Sequence, residues 1–244
     1  MWNCSEESCI LKVSGMDEHK TYFCLDRFAH RDLWKKKEPV WSPLHILEEY
    51  FRSKSFKIEI KILPGVHLER SELISIGKGT VIEPGVYIQG PCILGNHCIL
   101  RHGAYLRGGV ICGNGCAIGH SAEIKHAILL DAAAATHFTY VGDSIIGNGV
   151  NLGAGVKCAN LRFDRREVVV DAVKTRLKKL GAIIGDRVQI GCNTVLNPGT
   201  LIGHSSIIDP LIHFGGVIPP QSRVIGEKKH RVEPFVGMRD LHVP

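Results

Sequence analysis

The fold is decided by the stretch IGKGTVIEPGVYIQGPCILGNHCILRHGAYLRGGVICGNGCAIGHSAEI, residues 76–124, in which a large apolar residue recurs every six positions. In steps of six from Ile76 to Leu130, Ile or Leu fills every position except one, which is Cys112. The residue four places after each is almost always small or β-branched. These second positions are Thr80, Val86, Cys92, Cys98, Ala104, Val110, Cys116, Ala122, Ile128 and Ala134.

A period of six matches neither an α-helix nor the simple alternation of a strand. It is typical of a coil with three short strands in each turn of about 18 residues, where each strand gives one large and one small side chain to a narrow interior. Hexapeptide coils wind left-handed, an exception to the statistical preference for right-handed crossovers. The sequence therefore predicts an all-β fold, a left-handed parallel β-helix of hexapeptide repeats.

The repeat also divides the chain into segments. It slips near Val141 and Ile146, and it returns at Ile184. We expect a coil domain over residues 58–218, with an inserted loop at 161–180 that leaves the coil as a β-hairpin. Such insertions often carry function in repeat proteins.

The two ends of the chain lack the repeat. In residues 1–57, Ser42 and Pro43 form a good helix start, and the apolar residues after them have helical spacing. We expect this small helical extension to cap the first turn of the coil, because the ends of repeat proteins need covering. Residues 219–244 are rich in proline and charge, which predicts an extended C-terminal tail.

The composition narrows the classes of partner. The net charge is +6, but the basic residues are scattered in short clusters and only 7% of the residues are aromatic. A nucleic-acid-binding protein usually concentrates both on one surface, so we expect small anionic molecules instead. The sequence opens without a signal peptide and has no apolar stretch long enough for a membrane helix. It therefore predicts a cytoplasmic protein that does not insert into membranes.

The nine cysteines fit the prediction of a cytoplasmic protein, because their odd number argues against a disulfide framework. Cys92, Cys98 and Cys116 fall at small interior positions and Cys112 at a large one. We expect these thiols to fill the core, and we do not expect Cys112 and Cys116 to bind zinc.

Enzymes built from hexapeptide coils commonly transfer an acyl group to an amine or hydroxyl. Such a transfer needs a base whose pKa lies near working pH, so histidine is the residue to examine for chemistry. His97, His120 and His204 follow glycines in predicted turns, where exposure to solvent explains them. His137 differs, because it lies where the repeat slips. It is the candidate catalytic base.

The residues around His137 resemble a known family. His-Phe-Thr-Tyr-Val-Gly-Asp at 137–143 leads to Val-Asn-Leu-Gly-Ala-Gly at 150–155. This is similar to the acetyltransferase half of bifunctional N-acetylglucosamine-1-phosphate uridylyltransferase/glucosamine-1-phosphate N-acetyltransferase, which carries His-Leu-Thr-Tyr-Leu-Gly-Asp followed by Asn-Ile-Gly-Ala-Gly. The resemblance is specific over 106–160 and returns over 183–208.

The resemblance implies a function and a set of site residues. It implies transfer of an acetyl group from acetyl-CoA to a glucosamine-1-phosphate-like amino sugar, without a metal, by a homotrimer whose active sites lie between subunits. His137 would be the general base. The residues that match the acceptor site are Arg107, Lys125, Tyr140, Asn151 and Asn160, and those that match the acetyl-CoA site are Ala154, Cys192 and Pro210.

The stacking of Arg107 and Lys125 also follows from the period alone, because they are eighteen residues apart, one turn of the coil. The resemblance implies that these two residues bind the sugar phosphate, and two stacked cations suit a phosphate because both can make charge-assisted hydrogen bonds to it. In a regular coil His137 would lie on a different face from Arg107 and Lys125. A site that joins all three residues therefore needs the interruption of the repeat or a neighbouring subunit.

The sequence also departs from the family. The family's uridylyltransferase domain, with its Gly-rich nucleotide loop, is missing from this sequence, so we expect no uridylyl transfer. Leu161 stands where the family has Tyr, Cys192 replaces a Ser, and Pro210 replaces an Ala. Two alternatives stay open: a hexapeptide enzyme that moves an acyl chain from acyl carrier protein to a UDP-sugar, and a β-helix that binds without catalysis.

Overall fold

The computed structural model describes residues 19–226 as a parallel β-coil with an N-terminal extension along one side. The extension contains 3-10 turns at His19–Thr21 and Arg31–Leu33 and the helix α1, Pro43–Arg52. A further 3-10 turn, Ser71–Leu73, lies at the start of the coil. Among the described residues, no helix has the length and apolar content needed to cross a membrane.

The coil and the hairpin inserted in it consist of short strands of two to four residues. In chain order they are β1 His67–Glu69, β2 Ile74–Ile76, β3 Val81–Ile82, β4 Tyr87–Gln89, β5 Cys92–Leu94, β6 Ile99–Leu100, β7 Tyr105–Arg107, β8 Val110–Cys112, β9 Ala117–His120, β10 Glu123–Lys125, β11 Ala127–Leu129, β12 Ala134–His137, β13 Tyr140–Gly142, β14 Ile145–Ile146, β15 Asn151–Leu152, β16 Lys157–Cys158, β17 Val169–Val170, β18 Val173–Lys174, β19 Ala182–Ile184, β20 Gln189–Ile190, β21 Val195–Leu196, β22 Thr200–Ile202, β23 Ile207–Ile208, β24 His213–Phe214, β25 Val217–Ile218 and β26 Arg223–Val224.

Three eight-stranded parallel sheets form the faces of the coil. We name them in chain order. Face 1 is β1-β4-β7-β10-β13-β16-β21-β24, face 2 is β2-β5-β8-β11-β14-β19-β22-β25, and face 3 is β3-β6-β9-β12-β15-β20-β23-β26. The chain turns at the 1–2, 2–3 and 3–1 corners. This architecture confirms the predicted left-handed β-helix.

The interior of the coil contains the residues that the period selected. Ile76, Leu100 and Leu106 are fully buried, and so are the small residues between them. The thiols of Cys92, Cys98, Cys112, Cys116 and Cys158 are also buried, as expected for core residues. The remaining interior of each turn is therefore filled by short side chains, which lets three strands approach one another closely.

A ladder of Asn and Asp side chains closes the 2–3 corner. Each side-chain oxygen accepts a hydrogen bond from a backbone N–H one turn earlier: Asn96 from Lys78 (2.8 Å), Asn114 from Asn96 (2.8 Å) and Asp131 from Asn114 (2.7 Å). These bonds satisfy backbone donors that a tight corner would otherwise leave unpaired.

The period shortens earlier than we expected. Strand pairing is 18 residues apart at Leu106 and Ile124 but 17 apart at Ile124 and Val141. The missing residue is at the 1–2 corner, where His126 alone, with a φ of 45°, replaces the pair Gly108-Gly109. The interior position is consequently Leu129, and the predicted positions Leu130, Ile128 and Ala134 are wrong because they lie outside the coil interior.

The N-terminal extension lies along face 2 and does not cap the first turn, contrary to our expectation. The outward side chains of face 2 are apolar on successive turns, and they form one buried cluster with Tyr22, Trp41, Leu47 and Phe51 of the extension. The outward residues in this cluster are Ile93, Ile111, Ile128, Ile145, Ile183 and Leu201. The helix α1 begins where predicted, but Ser42 makes no side-chain capping bond.

The insertion forms the predicted hairpin. Strands β17 and β18 pair antiparallel, and Val168 and Val170 join the same buried cluster on face 2. The coil extends beyond residue 218, because β26 pairs with β23. The rest of the predicted tail, residues 227–244, and residues 1–18 lie outside the described residues.

Candidate active site

Arg107 and Lys125 lie one above the other at the 1–2 corner, as the period predicted. Both are the last residues of their strands on face 1, and β7 and β10 are neighbours with Leu106 opposite Ile124. Both side chains line one cavity of about 560 Å³. Adjacent strands are about 4.8 Å apart, so the two cations can contact the same anionic group.

Asp143 connects the polar residues of this corner. Its side chain is only 8% exposed, and its Oδ2 lies 3.3 Å from Nζ of Lys125. Its Oδ1 lies 3.1 Å from Nδ1 of His126, and the Asn160 amide donates a hydrogen bond to Oδ2. Burial raises the pKa of the Asp143 carboxyl, but His126, Asn160 and Lys125 together lower this pKa below its ordinary value. The corner therefore contains a carboxylate that stays ionised at neutral pH.

Tyr140 extends across face 1 towards the same corner. A Cβ added to Gly142 would lie 2.6 Å from the Tyr140 hydroxyl oxygen and 2.7 Å from Nδ2 of Asn160. Glycine at this position leaves room for both groups without displacing them. The tyrosine hydroxyl and the Asn160 amide are consequently held together beside Asp143, and burial, followed by the Asp143 charge, raises the pKa of Tyr140.

Arg107 is paired with an acidic neighbour. Its Nη1 donates a hydrogen bond of 2.6 Å to Oε1 of Glu123, the first residue of β10. This hydrogen bond is the largest cause that raises the pKa of Arg107. Glu123 therefore fixes the guanidinium across face 1, between the edge that carries Lys125 and the edge that carries His137.

His137 lies at the opposite edge of face 1, at the 3–1 corner. It is exposed, it ends β12, and it is paired in register with His120 one turn earlier. The rings of His102 and His120 stack at 5.8 Å, and Phe138 packs edge-on to His120 at 5.4 Å. The candidate base thus lies beside a row of aromatic rings, those of His102, His120 and Phe138, on the surface of this corner.

The residues predicted to meet acetyl-CoA lie in the same row as His137. The N–H of Gly155 donates to the carbonyl of His137 (2.9 Å), the N–H of Asn193 to that of Ala154 (2.8 Å), and the N–H of Leu211 to that of Cys192 (2.9 Å). Pro210 precedes Leu211 in the next turn of this corner. The structure therefore brings the candidate base and the predicted donor residues together at one edge of the coil.

The structure does not bring all predicted residues together within one chain. Arg107, Lys125, Tyr140 and Asn160 converge at the 1–2 corner, whereas His137 is at the 3–1 corner. Asn151 is separate from both groups, since it starts β15 on face 3 and is exposed there.

The sequence analysis missed Glu123, His126 and Asp143. The shortened corner was the signal that could have found two of them, because a spacing of 17 places His126 and Asp143 on adjacent turns. The position of the predicted helix α1 beside this cavity was missed too. It forms one wall of the cavity, whose lining includes Leu47, Glu48, Phe51, Arg52, Phe56, Arg70, Leu73 and Pro91.

Comparison with known proteins identifies the family. A family model, the GMPPB C-terminal domain, matches residues 88–210, which are half of the chain. The uncharacterized acetyltransferase YaiX of Escherichia coli O6:K15:H31 is 31% identical over 186 residues, which cover 73% of this chain and 81% of that protein. The chain belongs to the hexapeptide-repeat acetyltransferases. It is therefore an enzyme of the acyltransferase type.

Other relatives of this acetyltransferase match a shorter region. The bifunctional sugar-1-phosphate nucleotidylyltransferase/acetyltransferase of Sulfurisphaera tokodaii is 42% identical over 90 residues, or 35% of this chain and 22% of that protein. The bifunctional protein GlmU of Methanococcus maripaludis is 46% identical over 88 residues, or 34% and 21%. The chain thus spans about a fifth of the length of these relatives.

A solved structure supports the fold of the acetyltransferase. The UDP-N-acetylglucosamine acyltransferase of Francisella novicida superposes with a TM-score of 0.51 at 16% identity, covering 68% of this chain and 59% of that one. At this identity the likeness concerns the coil alone. Within residues 19–226, no group of three His, Cys, Asp or Glu side chains is arranged to hold a metal ion.

Proposed function

We propose that this protein transfers the acetyl group of acetyl-CoA to the amine of an amino sugar that carries a phosphate, with glucosamine 1-phosphate as the model acceptor. The observation that carries the proposal is the stack of Arg107 and Lys125 in one cavity, beside Asp143, Tyr140 and Asn160. Cations on adjacent turns suit a phosphate. The neighbouring amide and hydroxyl suit the hydroxyl groups of a sugar.

In this mechanism the phosphate binds between Arg107 and Lys125. The amine attacks the thioester carbonyl, the C–N bond forms, and His137 takes the proton that the amine loses. The C–S bond then breaks, and the protonated His137 returns the proton to the leaving thiolate, so the products are the N-acetylated sugar and CoA. An exposed imidazole suits this role, because histidine is the side chain most often used as a general acid and base in catalysis.

His137 and the two cations lie at opposite edges of face 1, which is three residues or about 10 Å wide. We propose that the protein forms a homotrimer and that the 3–1 corner of one copy faces the 1–2 corner of the next. This arrangement would place the base and the acetyl-CoA residues of one copy over the phosphate site of its neighbour.

The test is release of the CoA thiol from acetyl-CoA in the presence of glucosamine 1-phosphate. The substitution His137→Ala should lower kcat by about 10²–10⁴-fold, the usual contribution of a general base. The control is His97→Ala, an exposed turn histidine away from both corners, which should retain wild-type turnover.

Two results would contradict the proposal. Near-normal turnover by His137→Ala would remove this residue as the base. Turnover that requires a longer acyl chain carried by acyl carrier protein, with none from acetyl-CoA, would show that the donor is wrong and would leave the fold and the acyltransferase class intact.

A further inference from the structure

His126 and Asp143 form a stacked pair at the shortened 1–2 corner. They directly follow β10 and β13, which are neighbours with Lys125 opposite Gly142. Both have a left-handed backbone, with φ of 45° and 48°. This conformation is uncommon for a residue with a large side chain and usually falls to glycine, as it does at Gly108 one turn earlier. The turn alone therefore does not explain why a histidine stands at this corner.

The imidazole of His126 has one nitrogen at Asp143 and the other free. Nδ1 is buried and lies 3.1 Å from Oδ1 of Asp143, whereas Nε2 makes no hydrogen bond to any residue within 19–226. The side chain is 27% exposed, and it lines the same cavity as Arg107 and Lys125. An imidazolium donates through both nitrogens. It can therefore contact Asp143 with Nδ1 and an anion in the cavity with Nε2.

Both cations of the proposed phosphate site already have an acidic partner. Nη1 of Arg107 lies 2.6 Å from Oε1 of Glu123, and Nζ of Lys125 lies 3.3 Å from Oδ2 of Asp143. These four charges balance one another. A phosphate dianion that binds here therefore makes the group strongly negative unless a further proton is held nearby, and His126 is the adjacent side chain that titrates between pH 5 and pH 8.

The other charged residues of the cavity reinforce this coupling. They are Glu48 and Arg52 of α1, and Arg70 after β1. In the described part of the chain, none of the three forms an ion pair with His126 or Asp143 within 4 Å. The cations of the lining repel a proton on His126 while the cavity is empty, and a bound dianion reverses this repulsion.

We infer that His126 is a third ligand of the anion in this site, and that it binds as an imidazolium, so that a proton is taken up from the solvent when the anion binds. Nδ1–H faces Asp143, and Nε2–H donates to the anion beside Arg107 and Lys125. This inference rests on the proposed function, because the anion is the phosphate of the same acceptor. It adds a binding residue to the site, and the role of base stays with His137.

Calorimetry measures the proton directly. Titrations with sulfate, in buffers of equal pH and different heats of ionisation, give the number of protons taken up per anion. Sulfate is the probe because it stays a dianion, whereas a phosphate monoester itself binds a proton near pH 6. The wild type should take up a fraction of one proton per sulfate at neutral pH. Its affinity should rise about fivefold to tenfold from about pH 8.5 to about pH 5.5, as for one charge-assisted hydrogen bond.

Two variants assign the proton and the place of binding. His126→Asn removes the titrating ring, and asparagine tolerates the left-handed backbone and has an amide that can donate to Asp143. This variant should fold like the wild type by circular dichroism and bind sulfate without proton uptake. Arg107→Gln removes a cation of the same site and should weaken sulfate binding about tenfold.

The matched control is His97→Asn. His97 is an exposed histidine with the same left-handed backbone, φ 55°, but it lies at the 2–3 corner. Its replacement should leave sulfate affinity, proton uptake and pH dependence as in the wild type. The inference is overturned by sulfate binding without proton uptake in the wild type, by uptake that persists in His126→Asn, or by binding that Arg107→Gln does not weaken.

Kinetics separate this inference from the proposed function. If both are correct, His126→Asn should raise the KM for glucosamine 1-phosphate about tenfold and leave kcat nearly unchanged. Proton-coupled sulfate binding that needs His126, without acetylation of glucosamine 1-phosphate, would refute the proposed reaction and keep the third ligand. Acetylation with a KM that His126→Asn does not change, and with no proton uptake on binding, would refute the third ligand and keep the reaction.

Discussion

At the scale of single residues, Asp143 combines a structural and a functional task. A buried carboxylate is costly unless its oxygens are paired, and Asp143 has three partners, Lys125 and His126 from the turn before it and Asn160 from the turn after it. These contacts hold Lys125, His126 and Asn160 in one place before any substrate binds. The position of the proposed phosphate site therefore depends on a residue that need not touch the phosphate.

Replacing this carboxylate should destabilise the fold. Asp143→Asn should lower the free energy of unfolding at pH 7 by about 2 kcal/mol, because charged hydrogen bonds to Lys125 and Asn160 are lost. Urea unfolding followed by circular dichroism measures the difference. The control is Asp164→Asn, an exposed carboxylate paired with Arg162, which should leave stability nearly unchanged.

The same variant also tests how the contribution of Asp143 to stability depends on pH. The pKa of Asp143 is lower in the folded protein than in an unfolded chain, where it is about 3.9. Its contribution to stability is therefore complete above that value and is lost as the pH falls through the folded-state pKa. The gap between wild type and Asp143→Asn should be constant from pH 7 to about pH 5 and should narrow below about pH 4. A gap that widens in acid would contradict the direction of this pKa shift.

At the scale of elements, face 2 and the extension depend on each other. A coil of hexapeptide repeats needs only its inward residues to fold into turns, yet face 2 carries isoleucine outward on turn after turn. Exposed together, these side chains would form a large apolar patch. The aromatic and aliphatic residues of the extension cover them and form a second core.

Two isoleucines offer a matched test of this second core. Ile111 points out from face 2 and is fully buried beneath the extension, whereas Ile99 points out from face 3 and is 39% exposed. Ile111→Ala should cost about 3 kcal/mol of unfolding free energy, as for a buried aliphatic side chain, and Ile99→Ala less than about 0.5 kcal/mol. Equal losses in thermal or urea unfolding would show that the extension does not pack on face 2.

Among the elements, the coil could be predicted from the sequence, whereas the position of the extension could not. The period of six predicted the coil and its interior from Ile76 to Ile124, because interior packing repeats with each strand. It assigned Leu130 to the interior wrongly, since one missing residue at His126 shifts every later position. The extension was expected at the end of the coil because the ends of repeat proteins need covering, and its amphipathic spacing shows only that the helix is covered on one face. The spacing does not show which surface covers it.

At the scale of the whole molecule, the candidate site is divided between two edges of the coil. The stack of Arg107 and Lys125 could be predicted, because side chains one turn apart must coincide. The wall that α1 adds to the cavity could not be predicted, because it depends on a contact between distant segments. The separation of His137 from the cations was expected for a regular coil, and the shortened corner does not remove it.

This division leads to a prediction about mixed oligomers. If His137 of one copy acts on acceptor held by Arg107 of its neighbour, His137→Ala and Arg107→Gln chains should each be inactive alone. Co-expressed with different affinity tags and purified through both, they should regain activity, since some interfaces then carry one intact His137 and one intact Arg107. The control is a double variant, His137→Ala with Arg107→Gln, co-expressed with wild type.

Sites between copies and sites within one chain predict opposite results for the two co-expressed mixtures. With sites between copies, complementary single variants rescue each other, and the double variant leaves only the interfaces formed by two wild-type chains. With sites inside one chain, the single variants show no rescue, while each wild-type chain beside a double variant keeps full activity. Thiol release per wild-type equivalent in the two preparations decides between them, and absence of rescue would place the base and the phosphate ligands on the same copy.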